Sequence, residues 1–455
     1  FQAEDGIRDA LVGLVGSEMC IRDSPKAAQR FNTDETRVNW HDKALWYVRT
    51  RRDNAAHEVE DWEYLRSTAA AIKSHTLSNL DSYLLEFEGE ARKNGVEIHW
   101  AKNAKEHNEI VFKILDEAGA SKVVKSKSML TEECGLNPYL KSCDIEVIDT
   151  DLGERIVQLA KEPPSHIVLP AIHKTKEEVD TLFQQHLNTK PCNGNPEYLT
   201  AVARDHLRKK FINADAAITG VNFAVAETGE LVICTNEGNA DMGAHMASVH
   251  IACMGIEKII PRQKHLGVFL RLLARSATGQ PITTYTSHFK KPRLGEQLHV
   301  VIVDNGRSSQ LGRSDFRDSL HCIRCGACMN TCPVFRRSGG HSYGSTIPGP
   351  IGSILSPGNG LRKHRSLPFA STLCGSCTAV CPVKIDIHDQ LYKWRQQVVK
   401  STTRPYIKRL PMTLLRWAFR TPWLYRMSGK TVRWMIRKIP RKLMYSKLNI
   451  WGKNR

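Results

Sequence analysis

Cysteine is the residue type in this chain whose number and spacing indicate chemistry, because seven of the 13 cysteines lie between positions 322 and 381. They form two motifs that each close with Cys-Pro: Cys322, Cys325, Cys328 and Cys332, followed by Cys374, Cys377 and Cys381. Three thiolates at consecutive three-residue steps can hold three corners of a [4Fe-4S] cube, and the cysteine before proline ligates the cube of the other motif. The spacing therefore predicts two iron-sulfur clusters a short electron hop apart.

The second motif is one cysteine short. Aligning it with the last three cysteines of the first motif places Ser371 where the opening cysteine would be. Crossed ligation then predicts one complete site and one site with three thiolates, namely Cys322, Cys325, Cys328 and Cys381 for the first and Cys332, Cys374 and Cys377 for the second. The second site could hold a [3Fe-4S] centre, or a [4Fe-4S] cube with a serine, a water or a partner residue on the fourth iron. The sequence alone does not choose between them.

Two other uses of these cysteines are less consistent with the pattern. A zinc site usually takes two Cys-x2-Cys pairs around one tetrahedral ion, which leaves the Cys-Pro closures unexplained. A disulfide framework requires an exported chain, and no feature of the sequence indicates export. Five further cysteines are interpreted as structural residues of the preceding region: Cys134, Cys143, Cys192, Cys234 and Cys253.

Positive charge is concentrated at the carboxyl terminus. The formal net charge is +18, and the 18 Lys and Arg residues after Asp389 are accompanied by no Asp or Glu. This segment contains a basic stripe at helical spacing among several tryptophans: Arg426, Lys430, Arg433 and Arg437 with Trp417, Trp423, Trp434 and Trp451. A basic, aromatic and amphipathic tail indicates a membrane surface or an acidic partner, and the alternative is a solvated face packed on its own protein. Nucleic acid is not expected, because no recognised binding module accompanies the charge.

The sequence predicts no membrane span and no secretory signal. No apolar run approaches the ~20 residues that a spanning helix needs, and the first residues lack a basic segment followed by a long apolar stretch. Because the clusters need reduced cysteines, the expected location is the cytoplasm, with peripheral contact at the inner face of the membrane as an option for the tail. Residues 1–24 resemble translated sequencing-adaptor text, so Cys20 is excluded from the site and the true amino terminus is uncertain.

Helical and strand patterns alternate from about residue 39 to residue 303, which predicts an α/β domain with a largely parallel sheet. Helices are predicted over 62–73, 80–93 and 104–118, and from Lys176, where Thr175 and Glu178 have the form of a capping box. Strands are predicted over 96–100, 122–125 and 165–169, and over 224–226 and 231–234 as a hairpin with Gly229 in its turn.

A polar, glycine-containing loop over residues 235–239 follows the second hairpin strand. Loops at strand ends are where α/β proteins commonly bind ligands, so Glu227, Asn236 and Glu237 are candidates for a pocket, with a plain structural loop as the alternative. No G-x-G-x-x-G or Walker sequence is present, so no motif indicates nucleotide binding.

These patterns divide the chain into four segments. Residues 1–24 are the adaptor-like segment, 25–305 the α/β domain with amino-terminal helices, 306–400 the double-cluster domain and 401–455 the basic helical tail. Residues 305–318 are interpreted as a linker. The Gly- and Pro-rich insert at 338–360 is predicted not to form regular helix and to wrap the clusters, limiting the access of water.

Three strings outside the cysteine motifs carry a family resemblance. The strings VVKSKSMLTEE at 123–133, EPPSHIVLPAIHKTKEEV at 162–179 and ITGVNFAVAETGELV at 218–232, together with the two cysteine motifs in this order, resemble the lactate utilisation protein B family. The similarity runs from about residue 25 to the end. It implies an α/β domain like the NagB/RpiA/CoA-transferase group, followed by an α-helical, ferredoxin-like domain with two clusters. It also maps the family's ligands onto the same seven cysteines, so the missing eighth cysteine is a family feature.

The resemblance further implies an iron-sulfur subunit of a three-protein system that oxidises L-lactate to pyruvate. Its expected partners are a CCG-domain protein and a smaller protein related to the α/β domain. Two other functions remain open, namely an electron-transfer subunit of another dehydrogenase, for glycolate or glycerol phosphate, and a CoA-transferase-like ligand-binding enzyme with auxiliary clusters. Since clusters transfer single electrons and do not remove hydride by themselves, the chain is not expected to be a self-sufficient catalyst, and no catalytic residue is assigned.

Overall fold

A computed structural model describes residues 24–401, 413–417 and 419–438 of the chain. Residues 1–23, with Cys20, and the end of the tail, with Trp451, therefore lie outside the described residues. Among these described residues, those up to Gln396 and those from Gln397 onward form two compact units.

A parallel sheet of six strands is the centre of the larger unit. Its strands are β1 Glu97–Ala101, β2 Lys122–Lys125, β3 Glu146–Asp149, β4 Ala216–Gly220, β7 Val249–Gly255 and β10 Gln297–Val303. Their order in the sheet is β1-β10-β7-β4-β2-β3, and all five pairings are parallel. The predicted α/β fold with a parallel sheet is confirmed, since strands that alternate with helices pair in parallel when each helix crosses the sheet.

Helices cover both faces of this sheet. On β10, Val300 and Ile302 pack towards the helix Leu80–Lys93, while Val301 and Val303 pack towards the helix Ala104–Glu117. The described helices up to the last strand are α1 Ser24–Asn32, α2 Glu35–His57, α3 Trp62–Ser78, α4 Leu80–Lys93, α5 Ala104–Glu117, α6 Met129–Cys134, α7 Leu136–Ser142, α8 Leu152–Ala160, α9 Lys176–Leu187, α10 Pro196–Ile212, α11 Asn239–Met246 and α12 Gln263–Thr278. Burial on both faces explains why the strands read as continuous apolar runs.

The predicted hairpin belongs to a second sheet of four strands, which the sequence analysis did not anticipate. Its strands are β5 Phe223–Val225, β6 Glu230–Thr235, β8 Ile259–Ile260 and β9 Tyr285–Phe289. β5 and β6 are antiparallel, and Gly229 in the turn has φ of 66°. A Cβ atom at this glycine would lie 2.3 Å from the backbone nitrogen of Ala91, so the turn needs glycine for its close approach as well as for its conformation.

The cysteine-rich segment shares one apolar core with helices of the α/β region. Leu45 of α2 and Phe269 of α12 belong to the same buried cluster as Phe335 and Trp394. The helices of this segment are short: α13 Arg307–Leu311, α14 Ala327–Thr331, α15 Pro333–Ser338, α16 Gly349–Leu355, α17 Leu361–His364, α18 Ser376–Ala379 and the longer α19 Ile387–Ser401. Removing the α/β region would therefore expose the apolar side of the cysteine-rich segment.

The strand predicted over residues 165–169 is wrong. The backbone N–H groups of Val168 and Leu169 donate to Nδ1 of the buried His166 at 3.0 and 3.1 Å, and the N–H of Ser165 donates to the carbonyl oxygen of Pro170 at 3.0 Å. A strand needs these groups for a neighbouring strand. A histidine side chain and a local turn satisfy them here instead.

Two further predictions about irregular segments are corrected by the structure. The stretch 305–318, interpreted as a linker, contains α13 and the buried residues Arg307 and Gln310. The insert 338–360 contains the seven-residue helix α16, with Pro350 in its first turn, where proline is tolerated. By contrast, the capping box of Thr175 and Glu178 at the start of α9 is confirmed.

The smaller unit is described chiefly by helix α20, Pro422–Lys438, which agrees with the helical spacing of its basic residues. The indole rings of Trp417, Trp423 and Trp434 are exposed, as are Arg426 and Lys430. No helix among the described residues is long and apolar enough to span a membrane.

Candidate iron-sulfur centres and an adjoining cavity

The first cysteine loop begins after a short 3-10 turn and leads into α14. Two of its residues are left-handed, Arg324 with φ of 63° and Gly326 with φ of 78°. This backbone turns the chain so that the N–H of Arg324 donates to Sγ of Cys322 at 3.4 Å. Such N–H donors stabilise a thiolate and are typical of the surroundings of cluster ligands.

The second cysteine loop repeats this left-handed conformation at the two corresponding positions. Leu373 with φ of 57° and Gly375 with φ of 79° stand at the same positions relative to Cys374 and Cys377 as Arg324 and Gly326 do in the first loop. The N–H of Leu373 donates to Oγ of Ser371 at 3.1 Å, in place of the contact to a cysteine sulfur. The structure thus supports the register that aligns Ser371 with Cys322.

The cysteines before proline lie one helical turn further on in both repeats. Cys332 accepts a hydrogen bond at Sγ from the N–H of Phe335 at 3.5 Å, and Cys381 accepts one from the N–H of Ile385 at 3.4 Å. Both side chains are buried. Each of these buried sulfurs therefore receives a backbone N–H from the residues that follow its proline.

Electrostatic neighbours link each cysteine before proline to the other motif, and Cys328 also neighbours Cys377 across the two predicted sets. Apart from burial, which is the largest cause, negative charge on Cys322 and Cys381 raises the pKa of Cys325. Burial and then charge on Cys332 and Cys374 likewise raise the pKa of Cys377 to about 12. Cys381, although it is in the second motif, thus neighbours the first loop, and Cys332 neighbours the second.

Burial raises the pKa of most of these thiols, so they remain protonated at neutral pH when no iron is bound. It is the main cause that raises the pKa of Cys332 and of Cys381 to about 11. A cluster binds thiolates, so iron must displace the protons on binding. Cys374 is exposed and differs from the other ligand cysteines. Partial desolvation is the largest single cause acting on the pKa of its thiol and raises it, but hydrogen bonds with Ser376 and Thr372 together lower this pKa.

The arrangement does not suit a single zinc ion. Four sulfurs around zinc lie about 3.8 Å apart, as tetrahedral geometry with bonds of ~2.3 Å requires. Among the described residues, the sole group of three or more possible ligands with all ligand atoms within 4.8 Å of one another is Glu97, His99 and His299, at the edge of the large sheet. Among the described residues no three cysteine sulfurs meet this limit, so the cysteines do not form a ready zinc site, and their spacing in the chain fits the ligands of two clusters.

Arginines that the sequence analysis did not identify hold the second loop in place. The guanidinium of Arg66 donates from Nη2 to the carbonyl oxygens of Ala379 and Cys381 at 2.7 and 2.8 Å, and Arg52 donates to that of Val380 at 3.1 Å. Both arginines are buried on helices more than 300 residues earlier in the chain, α2 and α3. No local pattern could have indicated these contacts.

A cavity of about 520 Å³ lies between the first cysteine loop and the carboxyl ends of strands in the large sheet. Residues after β2, β3, β4 and β7 line it, and Arg324 and Cys325 contribute from the loop. Of the loop candidates from the sequence, Asn236 and Glu237 line the cavity. Glu227 is elsewhere, where its carboxylate accepts from the N–H of Gln263 at 3.0 Å.

Two of the cysteines interpreted as structural, Cys234 and Cys253, also line this cavity. Burial is the main cause that raises the pKa of Cys234 to about 11, and it raises that of Cys253 further. Neither thiol is therefore prepared to act as a nucleophile at neutral pH.

Comparisons with known proteins agree with this architecture. Residues 84–307 match the LUD domain, and residues 318–385 match the 4Fe-4S dicluster domain. The chain is 44% identical over 398 residues to lactate utilization protein B of Shouchella clausii, which covers 86% of this chain and 83% of that protein. It is 45% identical to the protein of the same name from Bacillus cytotoxicus, with 84% and 82% covered, and 43% identical to that of Oceanobacillus iheyensis, with 85% and 82% covered.

Proposed function

The chain belongs to the lactate utilization protein B family, and from this premise we propose that it is the electron-transfer subunit of a system that oxidises L-lactate to pyruvate. The observation that carries the proposal is the pair of cysteine loops with matched backbone conformation, closed by crossed Cys-Pro ligands. When bound, two clusters supply one-electron transfer, and the chain's own residues hold them, shield them and set their electrostatic surroundings.

Cys322, Cys325, Cys328 and Cys381 form the complete ligand set in this proposal. Three thiolates form the other set, Cys332, Cys374 and Cys377. We assign the fourth position of the second set to Oγ of Ser371, because this atom replaces a ligand sulfur in the matched loop. The carbonyl oxygen of Ser371 accepts from Nη2 of Arg395 at 2.6 Å, which holds the serine next to the loop.

Exposure indicates where electrons enter or leave. Of the seven ligand cysteines, Cys374 is the exposed one, whereas five are buried and Cys322 is partly buried. Because electron transfer requires close approach, we expect a partner to dock over Cys374. The proposed partners are a CCG-domain protein and a smaller α/β-domain protein of the same lactate system, in the cytoplasm, with the basic tail as a contact to the membrane surface or to an acidic partner.

Anaerobic reconstitution of the full chain tests this function. We expect about seven to eight iron atoms per chain, and about four would contradict the two-centre assignment. The reconstituted chain should not oxidise L-lactate alone, since it has no recognised flavin or nicotinamide motif to accept two electrons. With the partner proteins present, L-lactate should reduce its clusters, and turnover without partners would instead favour a self-sufficient enzyme.

A further inference from the structure

The cavity beside the first cysteine loop has the position and size of a ligand site. It lies at the carboxyl ends of parallel strands, the edge at which α/β sheets bind ligands. Its volume of about 520 Å³ is within the range of small-molecule sites, which is roughly 300–1,000 Å³. Most of the wall is apolar, with Ile167, Val168 and Leu273 among the lining residues, and charged side chains are placed at two ends.

Two cationic groups at one end have donors left for a ligand. The carboxylate of Glu257 is engaged by Nε of Arg307 at 2.7 Å and by Nη2 of Arg324 at 3.7 Å. Nη1 of Arg324 is buried and has no hydrogen-bond partner among the described residues. Lys258 also lines the cavity, and within the described part of the chain no carboxylate is within ion-pair distance of its ammonium.

The other end is acidic and polar. Glu237 accepts from the N–H of Leu152 at 3.1 Å and lies near Asp151, which pairs with Lys127 at 2.7 Å. Burial and the charge of Asp151 raise the pKa of Glu237 to about 7. A ligand with two anionic ends would be repelled here, so the cavity favours a ligand with one anionic group and one uncharged polar group.

Charge compensation for the first cluster is an alternative role for these cations. Lys73 is a useful comparison, because both lysines lie near Glu257 and Cys322. Lys73 is buried, however, and does not line the cavity. Its ammonium donates to the carbonyl oxygen of Glu257. Lys258 differs because it lines the cavity, which balancing the charge of a cluster would not require.

We propose that the cavity binds a small organic acid of the 2-hydroxy or 2-oxo class, with its carboxylate at Lys258 and Arg324 and its alkyl part on the apolar wall. The inference rests on the proposed function, which supplies the substrate class. The carboxylate would lie next to the loop that carries Cys325. The volume leaves room for side chains longer than a methyl group, so 2-hydroxybutanoate should bind as well as L-lactate.

Binding to the anaerobically reconstituted full chain tests the proposal. L-lactate, pyruvate, sulfate and coenzyme A are titrated by calorimetry into the wild type, Lys258→Met and the matched control Lys73→Met, each with iron content measured. We expect saturable binding of at least one of the two acids to the wild type and to Lys73→Met. Lys258→Met should bind it about ten- to a hundredfold more weakly, the effect of losing one charge-assisted hydrogen bond. The bound acid should also change the paramagnetic resonance signal of the reduced first cluster.

Three outcomes would overturn the proposal. The first is that neither acid binds saturably to the wild type. The second is that Lys258→Met and Lys73→Met weaken acid binding equally, which would mean that Lys258 only compensates the charge of the cluster. The third is that the wild type binds sulfate or coenzyme A more tightly than either acid. If Lys73→Met loses iron, Arg324→Gln is compared with Lys258→Met, and only a loss of affinity in both supports the site. The binding experiment involves neither a partner protein nor turnover. A negative result in it would therefore not contradict the electron-transfer function. Conversely, failure of L-lactate to reduce the clusters in the presence of the partners would not contradict acid binding.

Discussion

Ser371 is the side chain that distinguishes the second centre from the first. Its hydroxyl oxygen takes the hydrogen bond that a ligand sulfur takes in the first loop. With the proposed ligation by Ser371, an oxygen ligand in place of sulfur, together with the exposure of Cys374, should make the fourth iron of this centre the most easily lost of all.

Substitutions at Ser371 separate ligation from simple proximity. We expect Ser371→Ala to lose the fourth iron and to show a three-iron signal by paramagnetic resonance and Mössbauer spectroscopy. Ser371→Cys should retain four irons at this centre, provided that its sulfur reaches about 2.3 Å from iron, by analogy with other metal-thiolate bonds. A Ser371→Cys protein whose new thiol still reacts with an alkylating reagent, with an unchanged spectrum, would show that residue 371 does not face the open corner.

Helix α3 acts on the clusters from a distance through Arg66. In Arg66→Met, the carbonyl oxygens of Ala379 and Cys381 lose a buried donor. Leaving such groups unpaired costs about 1–3 kcal/mol. Because Cys381 belongs to the proposed first ligand set, that cluster should be released to a chelator roughly tenfold faster or more, as followed by visible absorbance.

A matched variant on the same helix controls for this experiment. Glu63, the ion-pair partner of Arg66, has a side chain that is 66% exposed. Glu63→Gln should therefore leave the release rate close to that of the wild type. Equal rates in Arg66→Met and wild type would mean that the arginine does not support the cluster loop.

The tail is the second element whose role can be measured by itself. Deleting the chain after Thr402 removes 15 basic residues and no acidic ones. Since each basic residue near an anionic surface contributes about 1 kcal/mol, binding to phosphatidylglycerol vesicles should fall and its salt dependence should flatten. Iron content should stay normal. Unchanged vesicle binding after the deletion would mean that another surface contacts the membrane. The double variant Trp423→Ala and Trp434→Ala tests the contribution of the aromatic side chains, because it leaves the charge of the tail unchanged.

Buried histidines make the stability of the whole molecule sensitive to acid. Burial is the main cause that lowers the pKa of His166 and of His250 to about 3. The unfolded chain binds protons at these residues below about pH 6.5, whereas the folded chain does not until near pH 3, so stability is lost as the pH falls through this window. Each histidine contributes a slope of about 1.4 kcal/mol per pH unit there.

Anaerobic urea unfolding between about pH 6.5 and pH 5 measures this slope. His250→Asn should reduce the slope, and substitution of the exposed His57 by Gln is the control. Equal slopes for wild type and His250→Asn would show that this histidine takes up its proton without unfolding.

Local features of the sequence determined much of this protein. Cysteine spacing within seven residues, followed by Cys-Pro, is enough to predict a cluster loop, because the geometry of the cube constrains neighbours in the chain. The hairpin around Gly229 and the capping box at Thr175 are local in the same sense. Apolar runs alternating with amphipathic helices were likewise sufficient for an α/β fold with a parallel sheet.

Only the tertiary structure decided features that join distant parts of the chain. Strand order, the second sheet, the arginines behind Cys381 and the cavity with Lys258 depend on contacts between residues far apart in sequence. The strand predicted over 165–169 was wrong because it also depended on distant contacts. An apolar run forms a strand only when its N–H groups pair with a neighbouring strand. Here the side chain of His166 accepts from two of these N–H groups instead. The spacing of side chains along the chain can be taken directly from the sequence. The hydrogen-bond partner of a buried polar group is determined only when the chain packs.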